Sequence, residues 1–332
     1  MHDISRRSFV ISAAAAGAAF GLKGPLEFFS SAAHAQGSNP IGAPQALIDQ
    51  GFAKFKIGSI EVIQVYDGHW EKAHDEKFIR NASLDETKAA LKKAGVADAF
   101  VPIPFTVTLV RVGGRTIMFD AGTGAQLMGT AGRLATKNLA AAGIQPSEIS
   151  TIVVTHFHID HVTGLMAKET NAQLFSNAEI IVPEAEYKHW MASELVEKTP
   201  ESGRGFVRRL QATFPTWKNI KQAAAGTEVT PGIRSVATYG HTPGHTSYVV
   251  SSGSDSLIVA GDVTNIPALN LANPGWHLVF DANPTLAEEN RRKFFDQAVT
   301  DKSVLTGYHW GMPGAGTLQK DGNGYALVPV SV

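Results

Sequence analysis

Runs of β-branched and apolar residues alternate with amphipathic stretches along most of this chain, and their periods predict its elements. Ile60–Val65 (IEVIQV) reads as a strand that stops at the turn signal Asp67-Gly68. Asn81–Gly95 has a helical rhythm with Ser83 as N-cap candidate, and a proline-interrupted VPIPF follows it. Phe105–Val112 and Thr116–Phe119 flank Gly113-Gly114, a two-residue hairpin pattern. The order then alternates. A helix is expected over Ala131–Ala142 with Gly143 as its stop, strands over Ile149–Thr155 and Ala178–Val182, and helices over Pro183–Met191 and Ser202–Ala212. The second half repeats the theme, with strands predicted at Ile233–Thr238, Ser247–Ser251, Leu257–Ala260 and Val304–Thr306 and a helix at Thr285–Ala298. Such an order predicts an α/β protein with two mixed sheets packed together and helices outside.

The first residues break this pattern. Adjacent arginines in SRRSFV (Ser5–Val10), a 14-residue Ala-rich apolar stretch (Phe9–Leu22) and the small-x-small triplet Ala33-His34-Ala35 read as a twin-arginine export signal over 1–35. The expected location is therefore periplasmic or secreted. A membrane span needs about 20 apolar residues, so no stable anchor is expected. Gln36–Gln50, rich in Gly, Pro and Ser, looks like a mobile arm; the arm is drawn over 36–56 and the main domain over 57–332. With 29 basic and 30 acidic side chains and no long run of either sign, the chain lacks the basic footprint of a nucleic-acid binder. It has no cysteine, so any metal has to be held by imidazole and carboxylate.

That matters because THFHIDH (Thr155–His161) crowds three of the 12 histidines and an aspartate into the end of a predicted strand. Buried imidazoles need partners for both nitrogens, which makes this a poor core segment. His156 and His158, two apart, point the same way in extended chain. Three further candidates sit where other predicted strands end: His245 in GHTPGHT, Asp262 closing LIVAGD, and His309 after VLTGY. Together His156, His158, Asp160, His161, His245, Asp262 and His309 supply enough donors for two ions. His241 is separated from His245 by Pro243 and Gly244, so no helix aligns the two, and a structural role is assigned to it. Gly164 and Gly244 either let backbone pass close to the ions or serve as simple turns.

HxHxDH, a distant GHTPGH, a GD after an apolar strand, a late His and an upstream FDAG (Phe119–Gly122) resemble, in that order, the metallo-β-lactamase superfamily over about residues 57–330. KNLAAAGIQPSEISTIVVTHFHIDHVTGLM, GHTPGHTSYVV and GNGYALVPV look most like its methyl parathion hydrolase, lactonase and arylesterase branch. The resemblance implies an αββα sandwich and two divalent ions, zinc by default with manganese, iron or cobalt open. It places His156, His158 and His245 on one ion, Asp160, His161 and His309 on the other, and Asp262 between them. Asp120 is either a hydrogen-bond acceptor orienting a ligand imidazole or a turn-former before Gly122. By the same resemblance Met128, Trp190, Phe206 and Phe280 fall near an apolar substrate pocket, the alternative being that each is ordinary core. The implied reaction is attack by a metal-bridging hydroxide on a lactone, an aryl ester or an organophosphate triester such as methyl parathion, with Asp160 or Asp262 relaying the proton. The branch also suggests a homodimer. A glyoxalase II-like thioesterase is the nearest rival and a non-catalytic metal-binding protein the other. Flavin-linked diiron oxidoreductases carry Glu where Ile159 stands and need an appended domain.

Overall fold

Alternation along Ile60–Lys72 sorts its side chains between two layers. Ile60 and Val62 pack with Val250, Leu257 and Val259 of the opposite sheet, while Ile63 and Val65 turn to the helical side. The computed structural model describes residues 39–332, so the expected export signal lies outside the described residues. The first sheet holds, in spatial order, β1 (Phe52–Ile57), β2 (Ile60–Lys72), β3 (Val101–Val112), β4 (Arg115–Phe119), β5 (Ile149–Val153), β6 (Glu179–Pro183) and β7 (Ile220–Ala223). The second runs from β8 (Glu228–Thr230) through β9 (Ile233–Ala237), β10 (Thr246–Ser252), β11 (Asp255–Val259), β12 (Val304–Thr306) and β13 (Ala315–Asp321) to β14 (Gly324–Pro329). Both sheets are mixed: β4 to β7 and the pair β11–β12 are parallel, the rest antiparallel.

Helices close both outer faces, giving the expected αββα sandwich. These are α1 (Gln45–Gln50), α2 (Leu84–Lys93), α3 (Leu139–Ala141), α4 (Ile159–Val162), α5 (Glu184–Trp190), α6 (Leu195–Lys198), α7 (Glu201–Thr213) and α8 (Pro284–Thr300). Leu91 and Leu210 cover the outer face of the first sheet, and Phe295 and Ala298 cover the second beside Leu305 and Leu318. Ser83 caps α2 in a reciprocal box with Glu86, as its spacing predicts. Among the described residues no helix is long and apolar enough to cross a membrane.

Four expectations are corrected. The described part of the arm is built into the domain: α1 precedes β1, which pairs with β2 from Phe52↔Val65 to Ile57↔Ile60. Asp67-Gly68 is not a turn; β2 continues through a bulge there, because the buried Asp67 carboxylate accepts the N–H groups of Thr123 and Leu134 and ties the following loop to the strand. VPIPF lies inside β3, where Pro102 and Pro104 are tolerated because β4 pairs only with Thr108–Val112. The helix expected over 131–142 is five residues of π-helix (Leu134–Asn138) and the single turn α3, ended by Gly143 at φ 73°.

Candidate metal centre

Seven side chains meet at one end of the sandwich, each delivered by the residues just after a strand. The loop after β5 brings His156 and His158, and α4, a single helical turn, continues it with Asp160 and His161. The loops after β9, β11 and β12 bring His241, Asp262 and His309. All except His158 and Asp160 are almost wholly buried.

Partners on the far side of each ring fix which nitrogen faces inward. His161 Nδ1 donates to Asp120 Oδ2 at 2.8 Å, His309 Nδ1 to the Pro104 carbonyl at 2.7 Å, and His241 Nδ1 to Asp281 Oδ1 at 2.9 Å. His156 Nδ1 is 3.0 Å from Thr155 Oγ1, whose hydroxyl in turn donates to Asp120 Oδ2. Four Nε2 lone pairs are thus aimed at the centre, joined by His158 Nδ1. His156 Nε2 lies 3.0 Å and His241 Nε2 2.9 Å from that atom. Donors on a tetrahedral zinc with Zn–N of 2.0–2.1 Å stand about 3.3 Å apart, so the triad His156, His158 and His241 is spaced for one cation.

A second set lies alongside. Asp160 Oδ2 is 3.5 Å from both His161 Nε2 and His309 Nε2. Asp262 touches both sets, with Oδ1 3.5 Å from His161 Nε2 and Oδ2 3.0 Å from His309 Nε2 and 3.3 Å from His241 Nε2. His161 Nε2 and Asp262 Oδ1 are fully buried yet make no hydrogen bond. Buried polar atoms are rarely left so, and two orphans facing each other among imidazoles and carboxylates fit a divalent cation.

The electrostatics agree. Burial, followed by the charge of neighbouring imidazoles, holds His156 and His158 well below the usual imidazole range, leaving lone pairs free. Burial would lower His161 too, but Asp160, Asp262 and Asp120 outweigh it and drive its pKa well up. Against burial, His309 and His161 hold Asp262 well below the carboxylate range. The pocket between these carboxylates is one that favours positive charge.

His241 and His245 stand in the reverse of their expected roles. His245 Nδ1 bonds Thr238 Oγ1 at 2.9 Å and its Nε2 accepts the Asp262 N–H at 2.9 Å, so neither nitrogen is free for a metal. It supports the strand end carrying Asp262 instead. Asp120 accepts from His161, Thr155 N and Thr155 Oγ1 with its backbone at φ 61°, so it orients the His161 ring as well as turning the chain. Gly164 and Gly244 allow close approach to other backbone and not to ions: a Cβ there would lie 1.8 Å from Ala121 O and 2.1 Å from Glu186 N.

Of the four pocket residues, Trp190 stands nearest, its ring perpendicular to His158 at 6.4 Å, with Phe206 5.8 Å behind it. Phe280 packs on Phe78 and Trp70 and precedes Asp281 in the chain, while Met128 is half-buried in the same apolar layer. Sequence reasoning missed Tyr308, whose hydroxyl donates to the Asp160 carbonyl and whose ring lies 3.9 Å from His161, and Asn265, which donates to Asp262 Oδ2. It also missed Asp281 with Arg291, and Glu186. Arg291 is wholly buried; it binds Asp281 Oδ2 at 3.0 Å and the Val263 carbonyl at 2.7 Å, bracing His241 and the Asp262 turn together. No local signal marks these residues: Glu184 and Glu186 share one short helix, and only the second is buried.

Residues 103–305 match the metallo-beta-lactamase superfamily. An N-acyl homoserine lactonase of Bacillus sp is 28% identical over 151 residues, 46% of this chain and 52% of that protein. The N-acyl homoserine lactonase AiiB of Agrobacterium fabrum is 24% identical over 179 residues, 48% of this chain and 60% of its own length. The chain thus spans about half the length of the Bacillus relative it matches. Among solved structures, AidC, a dizinc quorum-quenching lactonase in complex with a product, superposes with TM-score 0.79 at 26% identity, covering 85% of this chain and 98% of that one. The hydrolase AbOPH of the beta lactamase superfamily superposes with TM-score 0.77 at 24% identity over the same shares, a likeness of fold.

Proposed function

The chain belongs to the metallo-β-lactamase superfamily, and we propose that it is a divalent-metal-dependent hydrolase that opens lactone rings, N-acyl homoserine lactones foremost. The observation that carries this reading is Asp262, whose Oδ2 reaches His241 of one ligand set and His309 of the other, while its buried Oδ1 and the facing His161 Nε2 make no hydrogen bond. His156, His158 and His241 would hold one cation and Asp160, His161 and His309 the other, with Asp262 shared. Two such cations polarise a carbonyl and lower the pKa of water towards neutrality.

The chain's own residues do the rest. Asp160 is the more accessible carboxylate, 16% exposed at its side chain against 2% for Asp262, so it is the one that passes a proton to the departing alkoxide. Tyr308 fixes the Asp160 backbone from below. Trp190 and Phe206 present an apolar wall beside His158, suited to an acyl chain and not to a polyanion. The likeness to the dizinc lactonase, nearly complete over that protein's length, supports lactones above aryl esters. The signal-like 1–35 supports export by the twin-arginine route, tested by fractionating cells with and without that pathway.

The decisive assay offers the purified protein, with its metals counted, an N-acyl homoserine lactone, a phenyl ester, a glutathione thioester and methyl parathion. Lactone turnover that a chelator abolishes and zinc restores is expected. A fully metallated protein that cleaves only the thioester would overturn the substrate reading, and full activity in His158→Ala would overturn the site.

A further inference from the structure

Glu186 is a carboxylate with no accessible surface, and among the described residues no salt bridge reaches it. Four donors converge on it instead. Oε1 accepts the Phe157 N–H at 3.0 Å and the Trp190 indole N–H at 2.6 Å; Oε2 accepts the Thr242 hydroxyl at 2.8 Å and the Gly244 N–H at 2.8 Å. Phe157 separates His156 from His158, and Thr242 and Gly244 form the turn that carries His241. One side chain therefore holds both backbone segments that present the three-histidine triad, and also the indole that walls the pocket beside His158. The His161 side is braced by other groups, Asp120, Tyr308 and the Pro104 carbonyl serving His309. Burial raises the Glu186 pKa and the four donors pull it down; three of them are N–H groups that can only donate, the set a carboxylate accepts. The nearest backbone leaves no slack, since a Cβ at Gly244 would collide with the Glu186 main chain.

We propose that Glu186 is a positioning residue that couples cation binding by His156, His158 and His241 to the setting of Trp190 in the substrate wall. The proposal rests on the metal reading above. A cation seated among the three rings would set the spacing of their donor atoms, about 3.3 Å for a tetrahedral zinc against 2.9 and 3.0 Å here, and with it the Phe157 and Thr242–Gly244 segments; the shared carboxylate would pass that displacement to the indole. Because coupling is reciprocal, changing Trp190 alters the same half of the centre.

The test titrates zinc into the metal-free full chain by equilibrium dialysis and follows tryptophan emission, with Trp190→Phe isolating the contribution of that ring among the five tryptophans. In wild type, zinc should change the Trp190 emission. In Glu186→Gln, one of two zinc equivalents should weaken by about tenfold while the other stays unchanged, and the emission response should vanish. Thr242→Ala, which removes a single donor, should weaken the same equivalent by less and keeps the question answerable if Glu186→Gln fails to fold. Trp190→Phe should also weaken that equivalent alone. Equal weakening of both equivalents, or unchanged affinity in Glu186→Gln and Thr242→Ala, overturns the proposal. A wild-type chain that binds no zinc removes the metal reading and this proposal together, whereas two wild-type equivalents with unaffected variants remove this proposal alone.

Discussion

The two halves of the centre are built on opposite electrostatics. On one side His156, His158 and His241 crowd together, and burial with mutual repulsion keeps His156 and His158 neutral, the carboxylates Asp262 and Asp281 bearing on His241. On the other, Asp160, Asp262 and Asp120 surround His161 and raise its pKa despite its burial. A cation among neutral nitrogens keeps more of its charge for polarising a bound carbonyl, while one among carboxylates is partly neutralised and held more firmly. On the function proposed above, that contrast would give activation to the first half and retention to the second.

Removing the carboxylate common to both is the most severe way to break that contrast. Asp262→Ala should lower cation affinity by more than about 100-fold on both sides and abolish lactone turnover, read by elemental analysis after gel filtration. If one full equivalent survives, the halves are independent sites. Next in size is His241→Ala, expected to lose one equivalent and keep the other. Retention of two there, with loss of one in His245→Ala, would restore the opposite assignment of the pair.

Those two histidines also mark where the sequence stops being readable. The αββα layering, the α2 cap and the hairpin at Gly113-Gly114 follow from periodicity and local turn chemistry, which are short-range properties. So does THFHIDH at the end of β5, since its crowding of donors is visible in the chain itself. Choosing between His241 and His245 is different. The choice rests on the Asp262 N–H, 17 residues from His245, which occupies its Nε2, and on Asp281, 40 residues from His241, which orients the other ring. Glu186 and Arg291 hide for the same reason: each reads as an ordinary charged helix position until distant backbone surrounds it. Asp67-Gly68 misleads because a bulge and a turn use the same residues, and the arm because β1 is short and finds its partner only in β2.

Asp120→Asn sharpens the comparison from the carboxylate side. The amide keeps the size but loses the charge that orients and polarises His161, so affinity on that side should fall by about 10- to 100-fold with the three-histidine side unchanged. Zinc titration of the metal-free protein reads both. Equal losses would mean that Asp120 acts through the Thr155 hydroxyl, which also bonds His156, and not through its own imidazole.

The smallest effect on metal, and the one that separates support from ligation, belongs to His245. Its Nε2 accepts the Asp262 N–H, so a proton on that nitrogen has to break the bond and place a charge at a site without solvent. Burial first, then the charge of His241, lowers its pKa from 6.5 to about 3. The folded value lies below the unfolded one, so the unfolded chain takes up this proton first as pH falls. The stability tied to neutral His245 is therefore complete above 6.5 and is lost progressively towards 3. His241 acts in the other direction. Burial is outweighed by its bonds to Asp262 and Asp281, its pKa rises to about 9, and its contribution is complete below 6.5 and lost as pH rises through 9. The metal-free protein should then be most stable near the ordinary imidazole pKa, with an acid limb that His245 shares with His156 and His158 and an alkaline limb that His241 shares with His161. His245→Gln supplies an amide oxygen for the Asp262 N–H and cannot titrate, so it should make the acid limb shallower by one proton's share, leave the alkaline limb in place and still bind two zinc ions. Urea midpoints between about pH 4 and about pH 8 test this, and an acid limb as steep in the variant as in wild type would move the proton uptake to another buried ring.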